Sequence, residues 1–118
     1  GASETILPLC THIGKPEKYR AITKEDKEKI MENVSKFAAQ GYRVISLSLR
    51  PMNKDTVIPN NRAEAENELI YNGFVCMLDP PRYGVGEAVE DSYQAGITTI
   101  MIKGDSPITA KAIAKEVF

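Results

Sequence analysis

The run Ile97-Thr98-Thr99-Ile100-Met101-Ile102 constrains the fold more than any other part of this chain. Almost every residue in it is β-branched or apolar, which is typical of a strand buried on both faces of a parallel sheet. Parallel strands need a crossover connection, and residues 85–95 before the run carry apolar side chains at helical spacing. Another apolar strand, from Leu69 to Leu78, ends before Pro80-Pro81. With a further helix that opens at Pro107, this order predicts a parallel β-α-β-α unit.

The first half of the chain predicts one long helix followed by one strand. Residues 24–40 have apolar side chains at helical spacing, and Gly41 stands where a left-handed C-terminal cap belongs. Thr23 and Asp26 form a weak version of a capping box at the start of this helix. Residues 42–49 then alternate, which predicts a half-buried strand with an apolar face of Ile45, Leu47 and Leu49 and a polar face of Ser46 and Ser48.

The remaining segments predict short or irregular structure. Residues 3–10 suit a brief helix, whereas residues 11–22 are rich in turn formers and charges and predict a loop with at most a short extended piece at 19–22. Residues 52–67 predict a surface connection with at most one helical turn. We therefore expect an α/β chain, in which an α+β portion precedes the parallel unit.

The composition argues against several classes of partner. The 118 residues carry a formal net charge of -1, so no global field attracts nucleic acid or an anionic membrane surface. Apolar residues make up 42% of the chain, as in a soluble globular domain, and no apolar run approaches the roughly 20 residues that span a bilayer. Cys10 and Cys76 lie far apart among apolar neighbours, so we expect two buried, reduced thiols.

The candidate phosphate site is Lys103-Gly104-Asp105, which follows the predicted buried strand. Ligands of open α/β sheets bind outside the carboxyl ends of the strands, and a glycine there lets backbone approach a phosphate closely. One interpretation is therefore contact with a phosphate or a magnesium-bound phosphate. The alternative is that Asp105 only caps the helix after a tight turn, because a Gly-Asp pair is too short to be specific.

Two further features have competing interpretations. Asp79-Pro80-Pro81-Arg82 predicts either a stiff turn with a surface salt bridge or a hinge, in which Arg82 pairs with Asp79 or with a phosphate. Arg43, at the start of a predicted strand, either contacts a phosphate or is simply solvated.

His12 is the only histidine and has no carboxylate or cysteine at metal-ligand spacing, so we expect no metal site there. A solvated acidic face is predicted for Glu64, Glu66 and Glu68.

These features together resemble the cytosolic headpiece of P-type cation-transporting ATPases over nearly the whole chain. Gly1-Ala2 follows the pattern of the family's Lys-Gly-Ala motif, and residues 41–47 resemble its Gly-Leu-Arg-Val-Leu-Ala-Leu strand. Met77-Leu78-Asp79-Pro80-Pro81-Arg82 is similar to the return into the phosphorylation domain in the calcium and sodium pump class. Ala95-Gly96-Ile97 to Asp105 resembles the stretch that ends in the family's Thr-Gly-Asp motif. Residues 61–66 are similar to sodium or potassium extrusion pumps of fungi and protists.

The resemblance implies a division of the chain and a role for each site residue. Residues 1–78 would be the C-terminal part of the nucleotide-binding domain, and residues 79–118 a hinge and a partial phosphorylation domain with a HAD-like parallel fold. Arg43 would contact nucleotide phosphates, for which a guanidinium fork is well suited. Lys103, Gly104 and Asp105 would line the phosphoryl site, and Asp79, Pro80, Pro81 and Arg82 would form the hinge. ATP and Mg²⁺ would be the ligands of the parent pump, on the cytosolic face of a membrane.

Departures from the family pattern limit the expected activity. Lys103 replaces the threonine of Thr-Gly-Asp, and the aspartyl nucleophile motif Asp-Lys-Thr-Gly-Thr does not occur in this sequence. We therefore expect a piece of a pump that depends on the remaining domains of its parent and shows no ATP turnover alone. An exposed edge strand makes a dimer possible. The alternative function is a free-standing, pump-derived regulatory or binding module without catalysis.

Overall fold

The computed structural model describes residues 1–102, 104 and 107–118. They form a mixed α/β structure with one four-stranded sheet. The elements in chain order are α1 (Ser3–Ile6), a 3₁₀ turn (Leu7–Leu9), β1 (Cys10–Lys15), β2 (Lys18–Ala21), α2 (Lys24–Ala39), β3 (Arg43–Leu49), α3 (Arg62–Ala65), β4 (Leu69–Met77), α4 (Val85–Gln94) and α5 (Pro107–Val117). The predicted helices at 3–10, 24–40 and 85–95, the helix that opens at Pro107 and the strands at 42–49 and 69–78 are confirmed, with small shifts at their ends.

The sheet has the strand order β2-β1-β4-β3, with both parallel and antiparallel pairs. β1 pairs with β2 in antiparallel fashion, from His12 opposite Ala21 to Lys15 opposite Lys18. β1 also pairs with β4 in parallel fashion, and the register shifts between Cys10 and His12. The sheet therefore joins two segments of the chain that are almost sixty residues apart.

The loop predicted for residues 11–22 is wrong for most of the segment, which forms the β1–β2 hairpin, but the short extended piece predicted at 19–22 is confirmed by β2 (Lys18–Ala21). Gly14, one of the turn formers of this segment, lies inside β1 with a φ of 140°. A Cβ atom at Gly14 would lie 2.5 Å from the carbonyl oxygen of Lys18, so the close approach of the two strands requires glycine. The same residue that suggested a loop is thus what allows the hairpin to close.

The chain divides into two compact units. The first comprises Gly1–Val34 and Val44–Val75, and the second comprises Ser35–Arg43 and Cys76–Phe118. In the first unit the hydrophobic core consists of Leu7, Cys10, Leu69 and Tyr71, all of which are almost fully buried. Partly buried apolar side chains pack against these four, from residues Ile6, Leu9, Ile13, Ile22, Ile30, Met31 and Phe74.

The predicted facing of β3 is wrong. Ser46 is only 1% exposed, whereas Leu47, which we expected on the apolar face, is 48% exposed. The buried position of Ser46 is explained by its hydrogen bonds: its Oγ lies 2.7 Å from the Oγ of Ser3 and 3.2 Å from the Oη of Tyr71. A buried hydroxyl is tolerated when hydrogen-bond partners replace water.

The N-terminal segment is bound to the same residue of β3. The amino group of Gly1 donates to the Ser46 carbonyl oxygen at 2.9 Å, and the Ser46 N–H donates to the Gly1 carbonyl oxygen, also at 2.9 Å. This reciprocal pair is the pattern of antiparallel strand pairing. Ser46 therefore connects the first residues of the chain to the sheet through both its backbone and its hydroxyl.

The start of α2 is held by a capping box joined to an ion pair. The Asp26 N–H donates to the Thr23 Oγ1 at 3.1 Å, and the Thr23 N–H donates to the Asp26 Oδ2 at 2.9 Å, which confirms the predicted motif. Arg20, in β2, donates to both oxygens of Asp26, at 2.6 and 2.9 Å. These bonds hold the pKa of Asp26 well below its ordinary value, with the Arg20 hydrogen bond as the largest cause.

In the second unit the predicted strand at 97–102 does not form. These six residues belong to neither a helix nor a strand, and Ile100 and Ile102 are 77% and 93% exposed. A strand requires a hydrogen-bonded neighbour, and the sheet contains only β1 to β4 among the described residues. α4 and α5 are present at the predicted places. The parallel β-α-β-α unit is therefore not observed in the described residues. Ser106, which the sequence predicts as the N-cap of the helix that opens at Pro107, lies outside them.

Replacing Ser46 by alanine should destabilise the chain by about 1–3 kcal/mol, because the hydroxyls of Ser3 and Tyr71 lose a buried partner. Ser48→Ala, two positions along the same strand, is the matched control and should change the free energy of unfolding by less than about 0.5 kcal/mol. Urea denaturation followed by circular dichroism measures both values. Equal effects of the two substitutions would contradict the buried role of Ser46.

Acidification should selectively remove the contribution of Asp26 to the free energy of unfolding. The pKa of Asp26 is lower in the folded chain than in the unfolded chain, so the folded chain binds fewer protons in this range. The stabilisation by Asp26 is therefore present above about pH 4 and is lost as the pH falls below that value. Between about pH 5 and pH 2 the wild-type chain should lose more stability than Asp26→Asn. Thermal melts of both proteins across this range test the difference. Parallel curves would show that the Arg20–Asp26 pair contributes nothing.

Candidate functional site

Arg43 is the first residue of β3, and its side chain is exposed. The chain reaches it through Gly41, which ends the α2 region with a φ of 92°, as predicted for a left-handed cap. Gly41 is buried: a Cβ atom there would lie 3.6 Å from the Ala112 Cβ and 3.9 Å from atoms of Ile113 and Leu78. Gly41 thus lies at ordinary contact distance from α5, and β3 begins two residues later at Arg43.

The turn before Arg43 is further held by two aromatic rings. Phe37 and Tyr42 meet edge to face, with their ring centroids 5.8 Å apart. The Tyr42 N–H also donates to the Phe37 carbonyl oxygen at 3.1 Å. Such edge-to-face pairs add to the stabilisation from apolar burial. The backbone that presents Arg43 is thus held by side-chain contacts as well as by the cap.

The predicted hinge, Asp79-Pro80-Pro81-Arg82, connects β4 to α4 without helix or strand. Asp79, Pro80 and Arg82 are exposed and Pro81 is half-buried. The Arg82 carbonyl oxygen accepts the N–H of Val85 at 3.2 Å, which begins the turn into α4. The structure shows no ion pair between Asp79 and Arg82, both of which lie in its described part. A surface salt bridge within this tetrapeptide is therefore not what stiffens it.

The candidate phosphate loop is described only at Gly104. This glycine is exposed, and a Cβ atom built on it would have no heavy atom within 4 Å. Lys103 and Asp105 lie outside the described residues, so the predicted contacts of the loop with a phosphate remain a prediction. α5 begins at Pro107, the predicted first helical position.

The donor set of the described residues does not suit a metal ion. No group of three His, Cys, Asp or Glu side chains within residues 1–102, 104 and 107–118 could hold one. His12 instead forms a hydrogen bond of 2.9 Å between its Nδ1 and the Thr11 Oγ1. Cys10 is buried and Cys76 half-buried, both as free thiols, and burial raises the pKa of Cys10.

A cavity of about 670 Å³ in the first unit was not anticipated from the sequence. It lies among the β1–β2 hairpin, the residues after β3 and the first residues of β4, and its lining includes Arg50, Glu68, His12 and Tyr19. The sequence pattern assigns no role to Arg50 and predicts that Glu68 belongs to a solvated acidic face. Arg43 and Gly104 are not part of its lining. The alternating pattern of residues 42–49 ends before Arg50 and therefore does not predict that Arg50 lines a cavity.

The described residues include no helix with the length and apolar character needed to cross a membrane.

Comparison with known proteins identifies the family. Residues 1–84 match the family model described as P-type ATPase, cytoplasmic domain N. The chain is 40% identical over 116 residues to calcium-transporting ATPase 1 of Bacillus cereus, covering 98% of this chain and 13% of that protein. It is 39% identical over 126 residues to sodium/potassium exporting P-type ATPase 1 of Saccharomyces cerevisiae, covering 99% of this chain and 12% of that protein.

The chain thus spans about one eighth of the length of these relatives. Relatives named for calcium transport and for sodium/potassium export match it at nearly equal identity, so the comparison does not favour either ion. The matches cover almost all of the sequence, including the segments whose motifs suggested the resemblance. This chain belongs to the P-type cation-transporting ATPases.

Proposed function

We propose that this chain is part of the ATP-binding and phosphoryl-transfer headpiece of an ATP-driven cation pump, on the cytosolic face of a membrane. The observation that carries the proposal is the match of residues 1–84 to the family's cytoplasmic domain N. The calcium-transporting and sodium/potassium-exporting relatives, each covered by only one eighth of its length, support a role that depends on further domains. Those domains of the parent pump, together with ATP, are the proposed partners.

Arg43 is the proposed contact with the nucleotide phosphates. Arg43 is an exposed residue at the start of β3, and a guanidinium binds phosphate oxygens through two parallel hydrogen bonds. The buried cap at Gly41 and the Phe37–Tyr42 contact restrict the backbone just before it. A restricted donor loses less entropy when the phosphate binds.

The remaining site residues are assigned to the phosphoryl site and the hinge. Lys103, Gly104 and Asp105 are proposed to line the phosphoryl site of a HAD-like phosphorylation domain that other parts of the pump complete. Asp79, Pro80, Pro81 and Arg82 are proposed to be the hinge between residues 1–78 and 79–118, because paired prolines limit the backbone to few conformations. The exposed side chains of Ile100 and Ile102 are consistent with a strand that forms only beside a neighbour, either from the parent pump or from a second copy.

The chain alone is proposed to bind ATP weakly and not to hydrolyse it. Phosphoryl transfer depends on positioning and on neutralising charge around Mg²⁺. The described residues provide no metal site, and the sequence contains no Asp-Lys-Thr-Gly-Thr nucleophile motif. Any step that requires the metal or the nucleophile therefore belongs to the complete pump.

Arg43→Gln should weaken ATP binding by about tenfold to a hundredfold, because it removes charge-assisted hydrogen bonds to the phosphates. Titration of the isotopically labelled chain with ATP, followed by NMR, measures the affinity. Arg62→Gln is the matched control: it removes the same charge from an exposed Arg62–Glu66 ion pair on α3 and should leave ATP affinity unchanged. Equal affinity of Arg43→Gln and wild type would rule out the assigned role of Arg43.

Incubation of the chain with ATP labelled in its γ-phosphate should yield no acid-stable phosphoprotein, because the nucleophile motif is absent from the sequence. A full-length relative that contains the Asp-Lys-Thr-Gly-Thr motif serves as the positive control in the same gel assay. Label that is stable in acid and released by hydroxylamine would mark an acyl-phosphate on this chain and overturn the proposal of an inactive segment.

A further inference from the structure

The cavity of about 670 Å³ in the first unit has the size of a small-molecule site. One side is formed by the β1–β2 hairpin, and the other by the residues that follow β3 and precede β4. Apolar side chains, among them Met52 and Ile70, share its lining with charged and polar groups. Polar and charged side chains outnumber the apolar ones in this lining, so a ligand that carries a charged or polar group is favoured over a purely apolar one.

Arg50 supplies a partly buried positive charge to this cavity. Its side chain is 26% exposed, and its Nη1 donates to the carbonyl oxygens of Glu64 and Ala65, at 2.6 and 3.3 Å. Its Nη2 lies 4.0 Å from the Glu68 Oε2, beyond hydrogen-bond distance, and donates no hydrogen bond within the described part of the chain. One edge of the guanidinium is therefore anchored by backbone carbonyls, while the other can donate to a ligand.

Glu68 lines the same cavity and forms a long ion pair with Arg50, at 4.0 Å and without a hydrogen bond. Its side chain is 75% exposed, so water screens its charge more than that of Arg50. Glu68 is also the one non-glycine residue with a positive φ, 50°, among the residues that the structure describes. Strained backbone of this kind is often found at ligand sites. Of the two charged side chains that line the cavity, the less exposed one, Arg50, is thus the positive one.

Two aromatic rings lie beside these charges. His12 and Tyr19, on adjacent strands of the hairpin, meet edge to face with their ring centroids 5.4 Å apart. Tyr19 is 47% exposed, so one part of its ring is available for contact. Planar ligand rings pack well against aromatic side chains of this kind.

We propose that this cavity binds a small aromatic carboxylate. The Arg50 guanidinium receives the carboxylate through its Nη2 edge, because guanidinium–carboxylate pairs are charge-assisted and directional. The Tyr19 and His12 rings and the Met52 side chain receive the aromatic ring. Neither the family match nor the roles proposed for Arg43 and residues 103–105 assigns this cavity a ligand, and the inference stands independently of them.

Sodium benzoate is the probe, and benzylamine, which presents a cation on a similar ring, is the opposing probe. Titration of the isotopically labelled 118-residue chain, followed by NMR at constant ionic strength, should give saturable shifts for benzoate at the backbone amides of Tyr19, Met52 and Glu68. Acetate, which lacks the ring, should bind more weakly than benzoate. Benzylamine should produce no saturable shifts at these amides.

Three substitutions test the individual parts. Arg50→Lys should weaken benzoate binding by about tenfold, because an ammonium cannot replace the planar fork. Tyr19→Leu should also weaken it, whereas Glu68→Gln should strengthen it several-fold by removing a carboxylate near the bound anion. Arg43→Gln, outside the cavity lining, is the matched control and should leave benzoate binding unchanged.

The outcomes separate this inference from the proposed function. If Arg43→Gln binds ATP more weakly but binds benzoate as well as the wild-type chain does, the cavity is supported as an independent site. Tyr19→Leu and Glu68→Gln alter exposed side chains, so they remain informative if Arg50→Lys impairs folding. The inference is overturned if benzoate causes no saturable shifts at these amides, if benzylamine binds there in its place, or if Glu68→Gln weakens benzoate binding.

Discussion

The parallel pairing of β1 with β4 is the contact on which the first unit depends. It places Cys10 opposite Leu69 and Ile13 opposite Tyr71, and so brings together segments separated by about half of the chain. Three of the four core residues, Cys10, Leu69 and Tyr71, belong to these two strands. Burial of their apolar surface compensates the entropy of closing so long a loop. The hairpin extends the sheet on one side of this pair and β3 extends it on the other.

The interior of the first unit combines this apolar core with a small polar one. The hydroxyls of Ser3, Ser46 and Tyr71 form a connected set, and both backbone groups of Ser46 bond to Gly1. Polar groups in a low-dielectric interior are costly when unpaired and specific when fully paired. These hydrogen bonds therefore place the Ser46 face of β3 in the interior, although the alternation of apolar residues predicts that the opposite face is buried.

The functional assignment rests on the family, and the structure adds where its residues emerge. Arg43 follows a buried glycine cap, the Asp79–Arg82 segment lies between β4 and α4, and Gly104 is exposed. The cavity lined by Arg50, Tyr19 and Glu68 is a second feature, with a chemistry of its own. The family thus accounts for the roles proposed for Arg43, Asp79–Arg82 and Gly104, whereas the cavity residues stand out only because the fold brings them together.

The sequence by itself determined the long helix, its capping box, the glycine cap, the strands at β3 and β4 and the family, because these depend on local spacing and on motifs. It did not determine the hairpin, since Gly14 and the charges of residues 15–20 resemble those of a loop until a partner strand is present. It also misjudged the faces of β3 and the run 97–102. Which serine is buried depends on hydroxyl partners forty-three and twenty-five residues away, and whether an apolar run becomes a strand depends on a neighbour. Only the tertiary structure decided these points, because hydrogen-bond partners distant in sequence leave no local pattern.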